Sequence, residues 1–163
     1  QYRIRKGKRY TAISGLSMGG AGSIKLALKY DKQFGACAAF SSAIFTADEV
    51  TASEQEGMNG YVSKAMPEMV NVKGKNRLNN SYEEYDVLHL VKTKDPDVLK
   101  TVKLYFDCGD DDFLTLGNAQ LHKELITRKI PHEYRVRNGA HNWPFWRESL
   151  PVGLQFISDS FWK

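Results

Sequence analysis

The stretch Gly15-Leu16-Ser17-Met18-Gly19-Gly20 sits between two segments of opposite character. Before it, Tyr10-Thr11-Ala12-Ile13-Ser14 is a short, mostly apolar run that reads as a strand ending at a glycine. After it, from Gly19 to about Tyr30, Ile24 and Leu28 lie four apart with Ala21 and Ala27 nearby. Lys25, Lys29 and Asp31 are polar, and the spacing predicts an amphipathic helix. A serine at a strand-to-helix junction, with glycine two residues before and two after, matches a nucleophile elbow. So sharp a turn is expected to leave no room for a side chain at Gly15 or Gly19 and to hold Ser17 in a strained conformation. The helix that starts there aims free N–H groups and its positive dipole end at any oxyanion formed nearby, with the Met18 amide the first of them. A serine that merely caps the helix is the plainer reading of the same residues.

Working outward, Gly35–Phe40 (GACAAF) reads as a second buried strand. Residues 47 to about 99 are rich in Gly, Asn, Lys, Glu and Met with weak apolar periodicity, and are expected to form short helices and loops in a cap-like excursion. Val102–Gly109 (VKLYFDCG) is a third strand. Asn118 to Lys129 has Leu121 and Leu125 four apart and predicts a helix, and His132–Gly139 alternates as a fourth strand. Trp143 to Phe161 predicts a final helix with Trp146, Leu150, Leu154, Ile157 and Phe161 along one side. Pro144 suits its first turn, whereas Pro151 is expected to kink or split it. Buried strands alternating with helices argue for an α/β fold, a parallel sheet with helices on both faces. A chain of 163 residues suits one domain, and residues 1–163 are read as one.

A serine hydroxyl needs a base. Of His89, His122, His132 and His141, the last lies in a loop just past the fourth strand, where the carboxyl edge of a parallel sheet brings it toward Ser17. His122 falls on the exposed side of its helix, His132 begins a strand, and His89 lies in the middle region. The base needs an orienting carboxylate. Asp107 is still within the third strand, and Asp110, Asp111 and Asp112 follow it. Asp112 is placed to reach His141, with Asp110 and Asp111 as rivals. The order Ser, Asp, His is the one expected when an elbow serine heads the site. Trp143 and Met18 either line a substrate pocket or serve packing.

The rest of the composition narrows the field. The net charge is +4, much of it in Arg3, Arg5, Lys6, Lys8 and Arg9. No basic helix or aromatic platform follows that run, so no nucleic-acid partner is expected. No run of 18 apolar residues suggests a helical membrane span. Cys37 and Cys108 are too few for a disulfide framework and lack metal-ligand spacing, so buried thiols are expected, with a meeting of the two on neighbouring strands as the alternative. No metal or cofactor is called for. Asn79-Asn80-Ser81 fits a glycosylation acceptor, a frequent chance match.

GLSMGGAGSIKLALKY, FDCGDDDFL and IPHEYRVRNGAHNWPFWRESL together resemble the putative esterase family of α/β-hydrolases. That family includes esterase D, tributyrin esterase, feruloyl and acetyl xylan esterases, and mycolyltransferases. The resemblance covers nearly all of the chain outside the middle excursion. It implies Ser17 as nucleophile, Asp112 as the acid in place of its two neighbours, His141 as base, and hydrolysis of acetyl, feruloyl or other short acyl esters of carbohydrates. An acyltransferase with the same three residues, or a non-catalytic binding module, is the alternative. Family members carry about four strands before the elbow strand. The resemblance therefore implies an incomplete α/β-hydrolase domain lacking its amino-terminal half, and with it a second oxyanion donor. Loss of one such donor typically costs on the order of 100- to 1000-fold in rate, so the isolated chain is expected to be impaired. Tyr10–Ser14 is apolar on both faces, like an interior strand, so either a preceding segment or a second copy of the chain is expected to cover its edge.

Overall fold

The computed structural model describes residues 4–52 and 71–162. Four parallel strands form one sheet in sequential order: β1 (Ala12–Leu16), β2 (Ala36–Phe40), β3 (Lys103–Gly109) and β4 (His132–Arg137). Each strand registers directly on the next, as in Leu16 beside Phe40 and Phe40 beside Asp107. The helices are α1 (Met18–Lys29), α2 (Ala47–Ala52), α3 (Asn80–Tyr85), α4 (Val87–Thr93), α5 (Pro96–Leu99), α6 (Thr115–Thr127) and α7 (Trp143–Ser160).

Residue alternation along the strands builds three layers. Cys37, Ala39, Leu104, Phe106 and Cys108 point to one face, where they pack with Ile24 and Leu28 of α1, Val91 of α4 and Leu121 of α6. Ala38, Phe40 and Tyr105 point to the other, under Trp146, Phe156 and Ile157 of α7. The fold is the expected α/β arrangement. The described part of the 47–99 stretch contributes Val50, Val87, Leu88, Val91 and Leu99 to buried positions. Residues 53–70 of the expected excursion lie outside the described residues. Asn79 caps α3, its side chain accepting from the Tyr82 amide at 3.1 Å.

Several local expectations are corrected. Tyr10 belongs to a short 3-10 turn over Lys8–Tyr10, its amide donating to Gly7 O, so β1 starts two residues later than expected and runs on through Leu16. Helix α6 starts at Thr115, three residues early, and takes Gly117 and the buried Asn118 into its first turns. Pro151 does not split α7, which runs unbroken from Trp143 to Ser160. Pro151 and Arg147, the residue whose carbonyl loses its helical donor, both lie on the exposed side of the helix.

The buried face of α7 also differs. Phe145, Ser149, Gly153 and Ser160 are buried, whereas Leu150 and Leu154 are about half exposed. The reason is close approach. A Cβ at Gly153 would lie 2.4 Å from Phe40 Cζ, so the helix seats its small residues on the sheet and turns the two leucines outward.

Cys37 and Cys108 are buried free thiols. Burial pushes the thiol of Cys108 up to about 12 and that of Cys37 higher still. Part of the basic amino-terminal run is engaged: the Arg5 guanidinium lies 4.4 Å over the Trp162 ring, and Arg9 Nε donates to Phe161 O at 2.9 Å.

Candidate active site

Parallel strands place all their carboxyl ends at one edge, and the loops leaving β1, β3 and β4 meet there. Ser17 occupies the single residue between β1 and α1, with φ 56° and ψ −122°, a backbone conformation rare for a side-chain-bearing residue. Neighbouring backbone holds it from two sides. The Ser17 amide donates to Phe40 O at 2.9 Å, and Ser17 O accepts from the amides of Ala43, Gly20 and Ala21.

The glycines around the turn do different jobs from those expected. A Cβ at Gly15 would meet Gly19 O at 2.2 Å, so Gly15 is sterically required. A Cβ at Gly19 would meet nothing within 4 Å among the described residues. Gly20 is the second restricted position, facing Ser42 Oγ at 2.8 Å and Phe40 O at 3.1 Å. The close approach that lets α1 start against the loop after β2 thus falls one residue later than the five-residue pattern suggests.

Ser17 makes no side-chain cap to α1. Its Oγ lies 3.0 Å from His141 Nε2. His141 Nδ1 lies 2.9 and 3.1 Å from the two carboxylate oxygens of Asp112. A carboxylate only accepts, so Nδ1 carries the proton and Nε2 presents its lone pair to the Ser17 hydroxyl. The Asp112 side chain has no exposed surface, and Oδ1 also accepts from the Leu114 amide at 3.0 Å, which fixes its orientation.

Asp110 holds the loop instead: its Oδ1 accepts from the Gly139 amide at 3.0 Å, while the Asp111 amide donates to Gly139 O. The histidine loop is thereby tied to the aspartate loop on both sides of Gly139. Asn142 caps α7, accepting from the Phe145 amide at 3.2 Å, and starts the helix directly after His141.

The other candidates sit elsewhere. His122 is half-buried, not exposed, because its Nδ1 pairs with His132 Nε2 at 2.8 Å. Burial and the neighbouring His132 push the pKa of His122 down. His89 lies 3.8 Å from Glu83. Asp107 is fully buried and bonded to Tyr105 and Arg137. Met18 heads α1, where helix geometry leaves amides without intrahelical acceptors, and its side chain is half exposed. Trp143 is exposed at the start of α7, its ring centroid 5.3 Å from that of Trp146.

Two aromatic neighbours of His141 were not among the expected site residues. The Phe113 ring centroid lies 4.8 Å from the imidazole and the Trp146 ring 4.9 Å, nearly perpendicular to it. Trp146 Nε1 donates to Ser41 Oγ at 3.0 Å. The signal for Phe113 was its place beside Asp112; Trp146 was legible only as a helix-face residue. A groove of about 700 Å³ opens elsewhere, between α7 and the starts of β3 and β4, lined by Lys103, Tyr105, Glu133 and Phe156 among others. Among the described residues no cluster of metal-ligating side chains occurs, and no helix is long and apolar enough to cross a membrane.

Comparison with known proteins gives the chain a family and a set of structural relatives. A family model described as "Putative esterase" matches residues 1–157. An acetyl esterase of Caldicellulosiruptor saccharolyticus is 28% identical over 162 residues, an alignment covering 96% of this chain and 58% of that protein. A ferulic acid esterase structure superposes with a TM-score of 0.72 at 26% identity, covering 95% of this chain and 53% of the other. A substrate-bound fluorophosphonate-binding serine hydrolase of Staphylococcus aureus shares the fold, with a TM-score of 0.70 at 23% identity over 96% of this chain and 57% of the other. The chain spans a little over half the length of these relatives.

Proposed function

The chain belongs to the Putative esterase family, and from that premise we propose that it carries the reacting residues of a serine carboxylesterase working through an acyl-enzyme. The observation that carries this reading is the 3.0 Å contact of Ser17 Oγ with His141 Nε2, backed by Asp112 on Nδ1. Ser17 Oγ attacks the ester carbonyl carbon while His141 Nε2 takes its proton. The carbonyl π pair moves onto oxygen, where the Met18 amide donates to it. As the tetrahedral intermediate collapses, the C–O bond to the alcohol breaks and His141 returns the proton to the leaving oxygen. Water then attacks the acyl-Ser17 carbonyl, giving its proton to His141, and Ser17 leaves as the hydroxyl. Asp112 keeps the imidazole in the tautomer needed for both halves.

Acetyl, feruloyl or other short acyl esters of carbohydrates are the proposed substrates, in keeping with the acetyl esterase and ferulic acid esterase it resembles. The exposed side chains of Met18 and Trp143 are proposed to border the substrate. Residues 1–163 are proposed to form one partial α/β-hydrolase domain. Strand β1 lies at the edge of the described sheet. A preceding segment of the parent protein or a second copy of the chain covers it in this reading, because an open, partly apolar edge invites association. The same segment supplies the second oxyanion donor.

The test is Ser17→Ala in the parent protein, assayed on p-nitrophenyl acetate. Loss of essentially all enzymatic turnover is expected, and retained hydrolysis overturns the assignment. Product analysis with excess alcohol acceptor separates hydrolysis, which yields only free acid, from acyl transfer.

A further inference from the structure

Phe113 is 66% exposed, and burial does not account for its position. Its ring centroid nonetheless lies 4.8 Å from the His141 imidazole, at an interplanar angle of 53°. The imidazole has a second ring beside it: Trp146 stands at 4.9 Å and 88°, fixed by its bond to Ser41. Among the described residues the charged group in contact with the imidazole is Asp112, reached through Nδ1 in the ring plane. Asp110, in the same loop, is turned to the Gly139 amide. The uncharged Ser17 hydroxyl meets Nε2. The imidazole thus has two aromatic rings within 5 Å of its centroid.

In the reaction read from this site the imidazole becomes a cation twice, once in each half. A cation over the face of an aromatic ring, within about 6 Å of its centroid, is attracted by the ring quadrupole. We infer that Phe113 is a positioning residue acting through His141: its ring favours the imidazolium that forms in both transition states. This rests on the serine-esterase reading above and adds a residue to it. Phe113 neither bonds substrate nor moves a proton. Its effect appears in kcat whichever half limits the rate, because both pass through the same cation.

The experiment replaces Phe113 in the full-length parent protein with mono-, di-, tri- and pentafluorophenylalanine, which keep the ring shape while draining its quadrupole. Phe113→Leu removes the ring altogether. The exposed position predicts unchanged melting temperature and circular dichroism in every variant. On p-nitrophenyl acetate, kcat is expected to fall stepwise along the fluorinated series and by about two- to fivefold in Phe113→Leu. KM should stay nearly constant. A kcat that is flat or rises with fluorination overturns the inference, as does an effect confined to KM, which would place the ring against substrate instead. Ser17→Ala is run alongside. If that variant is inactive and the fluorinated series is flat, this inference alone fails. If Ser17→Ala stays active, the esterase reading fails and this inference with it.

Discussion

Replacing Arg137 by Met should destabilise the protein in a way that depends on pH. Arg137 ends β4, and its Nη2 donates to Asp107 Oδ2 at 3.3 Å and also contacts Ser149 Oγ of α7. Asp107 has no exposed side-chain surface; Oδ2 also accepts from the Tyr105 hydroxyl at 3.1 Å, and Oδ1 has no partner among the described residues. Burial, the largest influence, pushes the Asp107 pKa up, while the hydroxyls and Arg137 pull it back down. Losing the guanidinium leaves a buried carboxylate without its cation. Breaking a fully buried pair costs about 3–5 kcal/mol, but the Arg137 side chain is 35% exposed and water already screens it, so about 2–3 kcal/mol is expected. For a chain of this size that is a drop of about 4–12 °C in Tm.

The sign with pH follows from the direction of the shift. A carboxyl whose folded pKa is raised gives its full stability contribution below its unfolded pKa and loses it as pH rises through the folded value. Removing Arg137 raises the folded value further. The deficit of Arg137→Met against the parent should therefore be larger at pH 8 than at pH 5, where Asp107 more readily takes a proton. Urea unfolding at the two pH values measures it. The double variant Arg137→Met/Asp107→Asn should recover most of the loss, since no orphan charge remains. A deficit equal at both pH values, or a double variant as unstable as the sum of the singles, would refute the reasoning.

Three further outcomes are expected. Asp112→Asn should keep the fold but lower kcat by about 10³- to 10⁴-fold, because an amide in place of the carboxylate favours the wrong imidazole tautomer; steady-state kinetics beside a thermal melt checks both halves. Gly20→Ala should destabilise by about 1–3 kcal/mol through its crowding against Phe40 O and Ser42. Gly19→Ala should be far milder or stabilising, and equal melting temperatures for the two would contradict this contrast. Cys37 and Cys108, both held protonated by burial, should react with a thiol reagent such as DTNB only on unfolding; prompt labelling of the native protein would count against it.

The juxtaposition of Ser17, Asp112 and His141 was largely legible because it is built from local patterns. An elbow motif at a strand end and a histidine loop past the last strand are patterns within a few residues, and a parallel sheet brings its strand ends to one edge. Asp112 was harder: three acids in a row share one turn, and their backbone geometry decides which turns toward His141 and which holds Gly139. The buried face of α7 was not legible, because periodicity counts large apolar residues while helix-to-sheet distance is set here by Ser149 and Gly153. Gly20 outranks Gly19 for the same reason: crowding comes from Phe40 and Ser42, which are distant in sequence. The Arg137–Asp107 pair joins β3 to β4 by a register that no single strand reveals.

The hydrogen bond between Ser17 and His141 spans 124 positions of sequence, and that between His141 and Asp112 spans 29. Synthesis runs from the amino end, so Ser17 leaves the ribosome long before His141 is made. Contacts between residues so distant in sequence form slowly, because closing the intervening loop costs entropy first. Under the proposed reading, the growing chain carries a serine without its base until β4 and the His141 loop are in place. Were the site catalytic as proposed, the onset of turnover would report that β4 and α7 have docked.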